Sequence, residues 1–490
     1  MNSIKKNVVY SSILTVSGYL FPLMTFPYVT RILGVNNIGI CNFVDSIIQY
    51  FIYFSMMGIT TIGIREIART KNDKAKLSNT FNSLLALNLC ATVLAIIVLF
   101  LCMMFIPQLQ EHQSMYLIGA AKILANTLLV EWLFKGLEDF KYITARSIII
   151  RALYVIAVFV FVKSAADYIV YFFLTSFMVV VNAIFNIIYS KKFVSYTYIG
   201  INVRPFIKPF FILGSYMLLT SMYTTFNVAY LGFVTNTEEV GYYSTATKLF
   251  MLIMSFYTAF TGVMMPRMSA LLGEDRVKEF ERLTRKSVEL LFAFIIPIIL
   301  VAEFCAPEII FVVAGKGYEG AILPMRIVMP LMLIVGYEQI LVLQILSPLK
   351  KDSAILRNSI MGAIVALLSN VLLVPLLSSS GTALVWIISE ISVMISAQYY
   401  VKKYTGYSLP FFALFKRLVL LVPLLLLSLI VKKYSSNIFL TLGGIGSISI
   451  LGWLCVEYFV LKNSLLKDNI NKILVKNKKN DKCSVFNIEL

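Results

Sequence analysis

Two lysines, Lys122 and Lys248, lie where lysines are scarce, seven or eight residues inside long apolar runs. At 1.5 Å per residue both sit roughly 10 to 13 Å deep. Two cations at one depth, one in each half of the chain, have the chemistry of an anion site. The competing reading is that each snorkels along its own helix or pairs with a carboxylate. Asp45 belongs to a polar stripe of Asn42, Asp45, Gln49 and Tyr53, whose spacings of three and four place them on one helical face. A carboxylate there must be paired, protonated or wet. Glu338 and Glu390 are deep enough to bind a coupling sodium ion or proton, or to partner the lysines. Ser11, Thr15, Gly18, Pro22 and Thr25 form a second stripe, and Ser244, Lys248, Ser255 and Gly262 a third. Thr15, Asn42, Gln49 and Ser255 are candidate cavity-lining groups, although small and polar stripes also serve plain helix packing in lipid. Glu131 is nine residues from Lys122, on the opposite helical face. It stands one turn from Lys135, so a structural ion pair is its expected role.

The elements that carry these residues are membrane spans. Of 490 residues 59% are hydrophobic and 14% charged, and the mean hydropathy is +0.84. Apolar runs repeatedly reach the ~20 residues that cross ~30 Å of hydrocarbon, which excludes a soluble enzyme. About fourteen helices are expected, near 10–32, 38–63, 82–106, 114–137, 143–163, 167–190, 209–234, 241–265, 287–313, 322–347, 355–377, 380–401, 414–432 and 437–461. With the N-terminus cytoplasmic, alternate loops hold 35 Lys and Arg on the inside against six outside, Arg31, Lys163, Lys316, Arg326, Lys432 and Lys433. Positive loops stay cytoplasmic, so the asymmetry predicts that both termini are inside. It also accounts for the net charge of +18 without nucleic-acid binding, while the basic tail Lys462 to Lys482 could touch anionic lipid heads. His112 is the single histidine, and the six cysteines (Cys41, Cys90, Cys102, Cys305, Cys455 and Cys483) form no C-x-x-C pair. Metal sites and disulfide scaffolds are therefore not expected. There is no phosphate-binding G-x-x-x-x-G-K-[ST] loop, and short outside loops leave little room for catalysis.

A shift of 202 residues aligns Asn36-Asn37-Ile38-Gly39 with Glu238-Glu239-Val240-Gly241, Lys6 with Lys208, Arg65 with Arg267 and Ala68 with Ala270. The expected organisation is therefore an all-α membrane protein with two parallel six-helix halves, 1–200 and 201–402, two further helices at 403–461 and a basic cytoplasmic tail at 462–490. Because six is even, both halves start from the same side, and a cleft between them follows.

Several segments resemble bacterial polysaccharide repeat-unit flippases of the Wzx type, in the MOP exporter superfamily. They are Pro27-Tyr28-Val29-Thr30-Arg31-Ile32-Leu33-Gly34, Asn37-Ile38-Gly39, Gly63-Ile64-Arg65-Glu66-Ile67-Ala68-Arg69, Glu131-Trp132-Leu133-Phe134-Lys135-Gly136, Gly241-Tyr242-Tyr243-Ser244-Thr245-Ala246-Thr247-Lys248-Leu249 and Gly315-Lys316-Gly317-Tyr318. The resemblance runs from about residue 5 to 460. It implies two bundles around a cationic cavity and, as substrate, an undecaprenyl-diphosphate-linked oligosaccharide in the bacterial cytoplasmic membrane. Lys248, Lys122 and Arg31 become candidate diphosphate ligands, and Arg65 and Arg267 candidates for guiding substrate in from the cytoplasmic face. Asp45, Glu338 and Glu390 are the coupling-ion candidates; no other cofactor is implied. A polysaccharide polymerase and a chain-length regulator are possible partners. Ala246-Thr247-Lys248-Leu249 also looks like the span-8 motif of lipid II flippases, but those carry an arginine near the middle of span 1, where Ser11 to Thr30 here is uncharged. The rival readings are a MATE-like drug or cation antiporter, a lipid II flippase and a membrane polysaccharide polymerase.

Overall fold

The computed structural model describes residues 2–461 except 199 and 436. The tail at 462–490, with Cys483, lies outside the described residues. Those residues are almost entirely helical and contain no strand. In lipid no water is present to satisfy free backbone N–H and C=O groups, which is why long apolar runs become helices. Leu94, Phe105, Leu372 and Leu376 are well exposed, as lipid-facing side chains should be.

The chain begins with α1 (Asn2–Met56), which is broken at Gly34 with φ 75° and ψ 169°. A single straight helix of that length would be more than twice the hydrocarbon thickness. Gly34 supplies the positive φ that other residues resist, so one span ends there and another begins. Short α2 (Ile59–Thr70) continues the second span, and α3 (Lys74–Phe105) follows a three-residue turn. Asp73 caps α3 by accepting the N–H groups of Lys76 and Ala75, and those donors hold its carboxyl below the usual carboxylate range.

After α4 (Pro107–Gln110), the next span is α5 (Gln113–Leu128) with α6 (Glu131–Gly136). Next come α7 (Phe140–Phe161), α8 (Tyr168–Ser190) and the pair α9 (Arg204–Ser221) and α10 (Thr225–Val234), bent by 55°. Helices α11 (Thr237–Gly273) and α12 (Val277–Val313) are long enough to carry their spans past the membrane into the basic loop between them. A broken segment, α13 (Ile322–Val328) and α14 (Leu331–Gln339), ends in one π-helical stretch, Ile340–Leu346. Then α15 (Asp352–Thr405) doubles back at Ser378, φ 49°; a Cβ on Gly381 would lie 2.4 Å from the Leu373 carbonyl oxygen. Finally α16 (Phe411–Tyr434) precedes α17 (Ile438–Ser447), whose segment runs on to Val460.

Among the described residues eleven helices are long and apolar enough to cross a membrane, or twelve with the bent pair. The expected fourteen exceeds that count, and the difference falls at the breaks in α1 and α15, at Gly34 and Ser378.

Candidate functional site

Lys248 sits on α11 with its ammonium 5.7 Å from the ring centre of Phe26 on α1. Phe26 lies between Pro22 and Pro27, where missing N–H groups interrupt the helix ladder. The charged groups that act on Lys248 are Asp45 and Lys122. The structure thus assembles three of the predicted residues. Their pairing differs from two free lysines, because Lys122 donates to Asp45 Oδ1. Lys122 is 12% exposed and Asp45 43%. A buried ammonium is costly without a counter-charge, and the facing stripe of α1 supplies one. Lys122 is therefore compensated and Asp45 is not an isolated carboxylate. Among the described residues Lys248 has no ion pair, so one positive charge of the trio is left over.

Glu338 and Glu390 do not partner those lysines. They are each other's charged neighbours, Glu390 accepts from Trp386 Nε1 at 3.2 Å, and Tyr216 and Tyr223 stand close by. Neither carboxylate has a cationic partner among the described residues. No group of three or more His, Cys, Asp or Glu there could hold a metal ion.

Arg31 does not join Lys248. Its Nη2 donates to the Val312 and Phe311 carbonyls at 2.6 and 3.2 Å, and Nη1 to the Pro27 carbonyl. The Val312 and Phe311 carbonyls lie in the last turn of α12, where backbone donors run out, although the Ala314 and Gly315 N–H groups still reach Phe311. The guanidinium is therefore used as a helix cap across to the other half of the chain. Beside it Tyr318 donates to the Thr30 carbonyl at 3.3 Å, and Thr237 to Asn36 Oδ1. A Cβ on Gly39 would lie 1.6 Å from the Thr237 carbonyl oxygen, and one on Gly241 2.4 Å from that of Val35. Under the 202-residue shift these two contacts map onto each other.

Of the other candidates, Thr15 is exposed and donates to the Ser11 carbonyl, and Asn42 donates to that of Ile38. Gln49 is half-buried on the Asp45 face. Ser255 is buried and donates to the Leu252 carbonyl, so it serves its own helix rather than lining a wet space. Arg65 and Arg267 are exposed but paired, with Glu66 at 2.8 Å and Glu279 at 3.1 Å. Glu131 pairs with Lys135 at 3.2 Å as expected, and also with Arg146 at 3.1 Å. A 760 Å³ cavity lies elsewhere, between α12, the 404–410 turn and α16, lined by Phe280, Val288, Phe292, Arg285 and Arg417 among others; none of the trio borders it.

Sequence reasoning missed Arg146 and Arg151. Both were counted with a cytoplasmic loop, yet α7 begins at Phe140 and carries Arg151 about 16 Å along its axis. The expected span 143–163 contains both.

A long helical chain, broken at intervals and crossing the membrane repeatedly around intramembrane charges, defines a transporter-like membrane protein. Solved structures agree on the fold. "Lipid II flippase MurJ, inward closed conformation" superimposes with a TM-score of 0.77 at 15% identity, covering 93% of this chain and 99% of that one. An inward-facing multidrug resistance MATE family transporter of the MOP superfamily gives 0.62 at 14% identity, covering 81% and 99%. Residues 4–272 match the family described as Polysaccharide biosynthesis protein, and the chain belongs to that family. A relative from Escherichia coli (strain K12), named "Putative O-antigen transporter", is 26% identical over 70% of this chain and 83% of its own length. One of the same name from Shigella dysenteriae is 26% identical over 80% and 98%. The protein is a multi-pass membrane transporter and not an enzyme.

Proposed function

We propose that this protein flips undecaprenyl-diphosphate-linked oligosaccharide repeat units across the bacterial cytoplasmic membrane for surface polysaccharide synthesis. The observation that carries the reading is the uncompensated ammonium of Lys248 at the junction of α1 and α11. A diphosphate cannot cross hydrocarbon unaided, and a half-buried cation without an ion pair, facing the other half of the molecule, offers it a counter-charge. Lys122 contributes to the field but is held by Asp45.

The basic loops are cytoplasmic in this reading, as are both termini, and Arg65 and Arg267 border the side where substrate comes in. The reciprocal Gly39–Thr237 and Gly241–Val35 approaches support two halves, 1–200 and 201–402, related by an axis along the membrane normal. The Gly34 end is then the outer face, clasped shut by Arg31, Tyr318 and Asn36. Rocking of the halves would open it. Coupling to a sodium or proton gradient falls to Glu338 and Glu390, because Asp45 is already engaged. A polymerase and a chain-length regulator would act on the product.

The test is deletion of the gene, which should accumulate lipid-linked repeat units on the inner leaflet. Lys248→Ala should cut surface glycan at normal protein levels; full glycan in that variant would reject the site. The unpaired Glu338–Glu390 couple beside Tyr216 and Tyr223 favours a second reading, a drug or cation antiporter. Efflux of a cationic dye with no glycan phenotype on deletion would select it.

A further inference from the structure

Lys248 is one charge, whereas a diphosphate carries at least two, and the first span has no charged residue of its own between Ser11 and Thr30. The fold nevertheless brings a second cation to that span. Arg151 stands halfway along α7, on the face that carries Thr144, Ser147 and Tyr154 toward α1. Its Nη1 donates to the Leu14 carbonyl at 3.0 Å and to Ser17 Oγ. A Cβ on Gly18 would lie 3.4 Å from Nη2, an ordinary contact, so the guanidinium lies against α1 at this residue.

Nη1 has both of these partners, while Nη2 and Nε have none among the described residues and are not sealed from solvent. The charged groups that act on Arg151 are Glu131 and Arg146. Glu131 is already shared by Lys135 and Arg146, which leaves one carboxylate for three cations. Arg146 is spent on Asn186, Ser147 and Glu131. Arg151 is thus the member held in place by one nitrogen with its remaining donors unused, and a guanidinium in that state suits the oxygens of a phosphate group.

We propose that Arg151 is a second anion-binding residue of the transport route, receiving the phosphate groups of a lipid-linked substrate at a station separate from Lys248. The proposal rests on the flippase reading. Ser17 and Phe26 mark the two stations on α1, nine residues apart, about 13 Å along the axis and on opposite faces of the helix. That span exceeds one diphosphate, so the two cations act in succession: Arg151 on the side where α7 begins, then Lys248 toward the Gly34 end. The two helices supplying them, α7 and α11, flank an otherwise uncharged span on different sides, so the anion moves around α1 as well as along it.

The experiment uses the full-length protein in phosphatidylcholine nanodiscs, with undecaprenyl diphosphate in the disc or inorganic pyrophosphate in solution as probes. Arg151→Met, which keeps the stem and removes the charge, should weaken binding of undecaprenyl diphosphate about tenfold and reduce its salt dependence. Arg151→Lys should recover most of that loss. Independently of any variant, bound probe should protect Arg151 of the wild-type protein from phenylglyoxal, read by mass spectrometry. Protection by both probes assigns the station to the diphosphate group itself, and protection by the lipid alone to a membrane-embedded headgroup; either supports the proposal. Arg151 modified at the same rate with saturating probe, while Lys248→Ala weakens binding, overturns the second station and leaves the flippase reading intact. Wild-type protein that binds neither probe overturns the reading itself.

Discussion

Replacing Gly39 with alanine puts a methyl group 1.6 Å from the backbone oxygen of Thr237, where ordinary contact begins near 3.4 Å. Neither partner can swing away, because one is helix backbone and the other a Cβ. The starts of the two helices must therefore part by about 2 Å. That separation breaks the neighbouring polar contacts across the halves, namely Arg31 to Val312 and Phe311, Tyr318 to Thr30 and Thr237 to Asn36. At about 1 kcal/mol for each partly exposed bond, losing two or three weakens the clasped state by roughly 2–3 kcal/mol, a factor of about 30 to 150. The assay is disulfide formation in membranes between cysteines placed at Asn36 and Thr237, in a background lacking the exposed Cys90 and Cys455. Gly39→Ala should slow the crosslink at least tenfold and depress glycan export, and Gly241→Ala, whose Cβ meets the Val35 oxygen at 2.4 Å, should do likewise. Unchanged crosslinking and full export in both variants would show that this crossing does not control closure.

Asp45→Asn strips Lys122 of its counter-charge and should lower thermal stability in detergent by about 1–3 kcal/mol, below the full cost of a buried orphan charge because Asp45 is 43% exposed. Adding Lys122→Met should restore most of it; a double variant no more stable than the single would refute the pairing. Arg417 and Glu457 join the last two spans at 2.8 Å with 7% and 0% exposure, so Arg417→Met alone should cost about 3–5 kcal/mol, measured by the same unfolding, and an unaltered midpoint would contradict it. Glu338→Gln and Glu390→Gln should each abolish the dependence of transport on an imposed sodium or proton gradient in proteoliposomes while leaving downhill exchange; retained dependence in both would remove the pair from coupling.

The span pattern was legible because crossing lipid is a one-dimensional demand: about twenty apolar residues in a row, whatever they later touch. The boundaries 143–163, 167–190 and 437–461 consequently fall within a few residues of helices in the structure. Breaks were partly legible too, since Gly34 carries the positive φ that ends one span. The break in α15 was legible as well, since the expected spans 355–377 and 380–401 divide at Ser378; that a serine carries it at φ 49° was not, as serine has no intrinsic preference for that conformation. Glu131 was assigned correctly because its partner Lys135 is one helical turn away, within reach of sequence periodicity.

Pairing over long separations was invisible for the same reason. Sequence alone determined that Lys122, Lys248, Asp45, Glu338 and Glu390 are intramembrane charges needing compensation, for desolvation acts on each residue independently of its neighbours. Which charge compensates which was decided by packing. Asp45 neutralises Lys122 from 77 residues away, Arg31 caps carbonyls 280 residues on, and Arg151 reaches a span that has no charge of its own. A Coulomb pair depends on distance in space, and only the fold sets that distance.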